Sequence, residues 1–176
     1  MTVFFRTALA VVAIGTSLSA CGFQPLYGTA GVTAGARTPG ALLQSIYVEP
    51  IPERVGYRLR NNLLDLFSAN ARAQNAPYKL KLTLRERKDA VALQTNASIT
   101  RYNYSLIAHY ELTPAGASAP VRSGEVSALS AYNVATSPFA TVIAERDASD
   151  RAANDIAERI RTELAVYFRE ANGGIQ

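Results

Sequence analysis

The clearest pattern in the chain is strict alternation. Tyr78, Leu80, Leu82 and Leu84 alternate with Lys79, Lys81, Thr83 and Arg85 across Tyr78–Arg87 (YKLKLTLRER). A period of two sends successive side chains to opposite faces, so this segment predicts a strand with one buried face and one basic face. Thr100–Thr113 (TRYNYSLIAHYELT) repeats the pattern: Tyr102, Tyr104, Leu106, Ala108, Tyr110 and Leu112 stand against Arg101, Asn103, Ser105, His109 and Glu111. Pro114–Pro120 reads as a small-residue turn, and Val121–Val134 as a longer, less regular strand. Gln44–Pro50 (QSIYVEP), rich in β-formers and closed by Pro50 and Pro52, predicts a short first strand.

Two stretches carry a helical period instead. In Glu53–Ala73, Leu59, Leu63, Leu66 and Phe67 recur at spacings of three and four, with Arg54, Arg58, Asn61, Asn62 and Asp65 largely off that face. A second helix opens at Ser137-Pro138 and runs to about Ala171, its apolar face marked by Ile156, Ile160, Leu164, Tyr167 and Phe168, with Gly173-Gly174 as the stop. The order β-α-β-β-β-α predicts an α+β domain, two helices packed on one face of a four-stranded, mainly antiparallel sheet. The other face must then be hidden by a partner or wetted by polar side chains.

Ahead of this domain lies a segment of different character. Met1–Arg6 carries one positive charge, Thr7–Thr16 (TALAVVAIGT) is a short apolar run, and Leu18-Ser19-Ala20 are small residues before Cys21. This is the layout of a secretory signal peptide over 1–20. The run falls short of the roughly 20 apolar residues that span a bilayer. Cys21 is the only cysteine of 176 residues. Leu18-Ser19-Ala20-Cys21 matches the bacterial lipobox, in which the nucleophilic thiol is acylated and the new amino terminus is acylated in turn. Several acyl chains hold a protein stably on a membrane. The following residue is Gly22, not Asp, which by resemblance to the bacterial sorting rule implies transfer to the outer membrane. The expected organisation is a signal peptide (1–20), a lipidated N-terminus and tether (21–41), of which Thr29–Gly40 is rich in Gly, Ala and Thr, and one α+β domain (42–172).

Composition narrows the functional classes. Without residues 1–20 the chain has 156 residues and a net charge of +3, from 17 basic and 14 acidic side chains. That is enough length for one cored domain and only a mild attraction to anions. With its one cysteine spent on lipid, the chain forms no internal disulfide. An exported, tethered protein is no nucleic-acid binder. No nucleophile elbow, phosphate loop or metal-spaced Cys/His cluster occurs, so no catalytic residue, cofactor or metal is expected. His109 is the single His and sits on the polar phase of its strand. Glu145, Asp147, Asp150 and Asp155 cluster near the start of the last helix, where the plain reading is attraction to the helix dipole and pairing with Arg146 and Arg151. Lys79, Lys81, Arg85 and Arg87, with Arg101 on the neighbouring strand, have two readings. They are charges that blunt a sheet edge against aggregation, or a surface for phosphates.

Cys21-Gly22-Phe23-Gln24-Pro25-Leu26-Tyr27-Gly28 resembles the mature start of the LptE family of lipopolysaccharide-assembly lipoproteins. Arg58-Leu59-Arg60-Asn61-Asn62-Leu63 resembles the family's first helix, and the tail from Tyr132, with Phe139–Asp147 leading into a long helix, matches in outline. The resemblance implies a non-catalytic lipoprotein on the periplasmic side of the outer membrane. Such a protein lodges as a plug in the β-barrel LptD, helps it assemble and helps deliver lipopolysaccharide to the outer leaflet. It also implies a basic lipopolysaccharide contact ahead of the final helix, a position held here by Arg146. A second family basic position lies at the tip between strands two and three. Leu93-Gln94-Thr95-Asn96 stands there without a basic residue, leaving Lys88 or Arg101 at the flanks as substitutes. The rival expectations are an accessory lipoprotein of another outer-membrane complex, such as the β-barrel assembly machinery, and a lipid-tethered hydrolase using the acids of Glu145–Asp155.

Overall fold

The computed structural model describes residues 38–69, 75–93 and 99–173. The expected signal peptide, Cys21, the tether as far as residue 37 and the loop segment Gln94–Asn96 lie outside the described residues.

The first element is a helix the periodicity does not announce. In α1 (Pro39–Gln44), the Thr38 side chain accepts the Ala41 N–H at 3.2 Å and Pro39 occupies the first turn. Both suit a helix start, because the first N–H groups have no partner inside the helix. Six residues with two buried positions, Leu42 and Leu43, are too few to display a period. This helix takes over the end of the expected tether and trims the first strand, β1, to Ile46–Val48. The direction of β1 makes it the parallel exception in a mainly antiparallel sheet. β1 pairs parallel with β2 (Tyr78–Leu93), Ile46 opposite Tyr78 and Val48 opposite Leu80, with α2 (Glu53–Phe67) as the crossover.

The remaining pairs are antiparallel as expected. β2 pairs with β3 (Ile99–Pro114), and β3 with β4 (Arg122–Asn133), in the sheet order β1-β2-β3-β4. β2 runs six residues past the expected end at Arg87. Lys88–Leu93 has no clean alternation, but the ladder with β3 satisfies its backbone, and the register slips at Ala90 and Ala92. α2 stops earlier than the expected Ala73. Ser68 adopts a left-handed conformation (φ 50°), and Ala69 N–H bonds back to Leu64 C=O, closing the last turn.

α3 (Pro138–Gly173) is a single helix of 36 residues that packs on β4, β3 and α2. Its buried seam mixes small and large side chains, with Ala148, Ala152, Ala153, Ala157 and Ala165 between Ile156, Ile160, Leu164 and Phe168. Val55, Leu59, Leu63 and Phe67 of α2 meet the same core. Alternate residues of the sheet (Leu80, Leu82, Tyr104, Leu106, Tyr110, Leu112, Val126 and Ala128) complete it. The odd-numbered positions of Lys79–Arg87 and of Arg101–Thr113 therefore point away from the helices. No element of the described chain covers that face.

One contact sets the fit between sheet and helix. Tyr110 lies opposite Gly124 in the β3–β4 register, and its buried ring crosses over the glycine so that its hydroxyl donates to Glu163 of α3. A Cβ at position 124 would stand 2.7 Å from that hydroxyl and 2.8 Å from two carbons of the ring.

Candidate functional site

Two features rise above ordinary surface. The first is a cleft of about 390 Å³ between α2, the β2–β3 pair and the first third of α3, lined in part by Glu53, Arg54, Glu86, Tyr104, Glu145 and Arg146. Here the Tyr104 hydroxyl donates to Glu86 at 2.5 Å. Burial, and then the Glu86 carboxylate, push that phenol well above its ordinary pKa. Lys88 of β2 donates to Glu145 of α3, and the Tyr132 hydroxyl of β4 donates to the second oxygen of the same carboxylate at 3.2 Å. Burial, followed by the Glu145 charge, raises Tyr132 to about 12. Arg54 reaches from α2 to Asp150 at 2.8 Å, to the Ser149 hydroxyl, and to the Arg146 carbonyl at 3.4 Å.

The expected lipopolysaccharide contacts are thus divided. Arg146 lines the cleft, exposed, with no ion pair among the described residues. Lys88 joins the same site through Glu145, its charge already engaged. Arg101 is exposed at the start of β3, on the phase opposite to buried Tyr104, and so belongs to the uncovered face. Glu145 is the organising residue that sequence reasoning missed. It stood in the list of acids, but nothing local shows that a lysine 57 residues away would meet it.

Three acids near the start of α3 are taken up by cations. Asp147 binds Arg151, Asp150 binds Arg54 and Arg58, and Asp155 binds Arg159 at 2.9 Å. Pairing was expected, but the helix dipole is not its cause: the first turn of α3 has no acid, and the dipole effect fades beyond that turn. The pairing of Arg146 with these acids does not occur. His109 is exposed, its Nδ1 3.8 Å from Glu125 on β4, with no nucleophile between them. Among the described residues no group of three or more His, Cys, Asp or Glu is placed to hold a metal, and no helix is long and apolar enough to cross a membrane.

The second feature is the uncovered face of β2. Lys79, Lys81, Arg85 and Arg87 are all exposed there. Arg87 pairs with Asp89 at 2.9 Å, and the other three have no ion pair among the described residues. At the end of the molecule near the cleft, the opening turns of α3 expose Phe139 (74%), Val142 (46%) and Ile143 (45%), an i, i+3, i+4 apolar stripe.

Solved structures share this architecture. A candidate lipoprotein from Caulobacter crescentus is 27% identical, with a TM-score of 0.63 over 74% of this chain and 96% of that one. The rare lipoprotein B of Shewanella oneidensis (13% identity, TM-score 0.53, covering 69% of this chain and 92% of that one) shares the fold. So does a minor lipoprotein of Acinetobacter baumannii (13%, TM-score 0.52, covering 69% and 89%). No curated protein matches the chain. The family model for LptE, lipopolysaccharide-assembly, matches residues 43–164, which takes in α2, the whole sheet, the cleft and most of α3. On that match the chain belongs to the LptE family of lipopolysaccharide-assembly proteins.

Proposed function

We propose that the protein is a non-catalytic outer-membrane lipoprotein, anchored through acylated Cys21 on the periplasmic side. In this reading it plugs and helps assemble an LptD-type β-barrel and takes part in handing lipopolysaccharide to the outer leaflet. The observation that carries the reading is the match over residues 43–164 to a family of lipopolysaccharide assembly. Two features support it. The Phe139–Val142–Ile143 stripe leaves apolar side chains in water, as surfaces that meet another protein do. The acids that an enzyme reading would use are each held by a cation. Arg146, Arg101 and Lys88 are the proposed contacts for lipopolysaccharide phosphates. Lys88 must first be released from Glu145, while Arg146 needs no such release.

The test is affinity capture of the tagged, detergent-extracted protein, with mass spectrometry of what accompanies it. A stoichiometric barrel of the LptD type is the expected result. A different barrel, such as that of the β-barrel assembly machinery, or no partner, overturns the assignment. In parallel, Cys21→Ser is expected to lose the acyl mass and leave the protein extractable without detergent. An acylated Cys21→Ser product refutes the anchor.

A further inference from the structure

The uncovered face of β2 has a feature that neither the cleft nor the family match uses. Arg54, Arg58, Arg87, Lys88, Arg151 and Arg159 stand in ion pairs. Lys79, Lys81 and Arg85 do not, and they share one face of one strand. Glu111 lies opposite Lys81 in the register, yet no ion pair closes between them, and Thr83 and Ile107 rather than acids fill the positions beside and opposite Arg85. β1 covers the flank of β2 only at Tyr78–Leu80, so Lys81 and Arg85 meet solvent from the sheet's edge as well as from its face. Same-face neighbours on a strand stand about 7 Å apart, which spreads Lys79 to Arg85 over about 20 Å. A single phosphate bridges at most two such groups. A row of this length fits several phosphates held at a surface.

From this we infer that the open face of β2 is a docking surface for the phosphate layer of an anionic glycolipid assembly, with Lys79, Lys81 and Arg85 as its contacts. The inference rests on the lipopolysaccharide reading above and adds a second contact surface, on the opposite side of the sheet from Arg146 and Lys88. The exposed hydroxyl of Thr83, between Lys81 and Arg85, is a further donor for phosphate oxygens. Charges that merely blunt a sheet edge would occupy the same positions but hold no ligand.

The chain's lysines make the test direct, because there are only three: Lys79, Lys81 and Lys88. Two lie on the open face and the third is tied to Glu145. The full-length protein in detergent is treated with an amine-acylating reagent, with and without lipopolysaccharide, and each lysine is read by mass spectrometry. Lys79 and Lys81 are expected to be protected by lipopolysaccharide, to lose that protection with dephosphorylated lipopolysaccharide, and to be unaffected by inorganic phosphate at equal phosphate concentration. Protection of Lys88 alone overturns the inference in favour of the cleft. Protection by inorganic phosphate overturns it in favour of a single-anion site, and no protection leaves the charges as an edge device only. Replacing Lys79, Lys81 and Arg85 together by Gln is expected to weaken lipopolysaccharide binding about 100-fold at low salt, from about fivefold per charge near an anionic surface. The loss should shrink as salt is added. Unchanged binding overturns the inference too. These outcomes are separate from barrel capture, which tests the assembly role and does not depend on this face.

Discussion

Replacing Gly124 by Ala is expected to destabilise the domain far more than one methyl on a strand normally would. The new Cβ would lie 2.7 Å from the Tyr110 hydroxyl and 2.8 Å from two ring carbons, where carbon atoms normally sit about 3.5–4.0 Å apart. The ring has nowhere to go, because Tyr110 is fully buried and its hydroxyl is committed to Glu163 on α3. Overpacking of this kind costs about 1–3 kcal/mol. Tilting the ring away also strains or breaks a hydrogen bond to a carboxylate, worth about 1.5–3 kcal/mol. Against this, Ala recovers about 0.5–1 kcal/mol of the entropy that Gly loses in a strand. The net expectation is a loss of about 2–4 kcal/mol, or a fall in Tm of about 8–16 °C for a domain of this size. Thermal unfolding followed by circular dichroism measures it. Tyr110→Phe, alone and combined with Gly124→Ala, completes a double-mutant cycle. Because both changes act on one contact, the combined loss should fall short of the sum by about 1 kcal/mol or more. A Gly124→Ala protein melting within about 2 °C of the parent, the spread of ordinary surface substitutions, would refute the packing argument.

Three other outcomes are expected. Tyr104, Tyr110 and Tyr132 all have raised pKa values, first through burial and then through neighbouring carboxylates. Folded protein therefore holds protons that unfolded chain releases near pH 10, and stability should be full below pH 10 and fall as pH rises towards 12. Melts between pH 8 and 11 should show the decline, and Tyr104→Phe should flatten it. Glu145→Gln frees Lys88 and should cost only about 0.5–1 kcal/mol, since the pair is partly exposed (side chains 44% and 35%), as a denaturant titration against Lys88→Gln would show. Leu164→Ala, at a fully buried site on α3, should cost about 2–5 kcal/mol, whereas Val166→Ala, 40% exposed two residues on, should stay within about 0.5 kcal/mol by the same titration.

How much of this could be read along the chain differs from element to element. β2 and β3 were legible because one-sided burial writes itself as a period of two, and Tyr104, Leu106, Ala108, Tyr110 and Leu112 are buried in sequence order. α2 and α3 were legible for the same reason at the helical period. The parallel pairing of β1 was not, because three residues, Ile46–Val48, hold no directional signal and the pairing is decided by where α2 returns the chain. α1 had a cap but no stripe. At the candidate site, alternation placed Lys79, Lys81 and Arg85 on one exposed face. Glu145 joining Lys88 and Tyr132 depends on three elements meeting in space, which no local pattern encodes.

The way the chain enters the domain has a mechanical consequence. A pull on the residues ahead of Thr38 reaches the fold first through α1, whose Leu42 and Leu43 are sunk in the core, and only then through β1, three residues long. Traction along such a path is resisted by apolar side chains that must be drawn out of their sockets before the short ladder to Tyr78–Leu80 is loaded. A membrane-tethered form would thus hang from a hydrophobic peg rather than from a hydrogen-bonded hem, and β2, β3 and the long helix would stay slack while the peg holds.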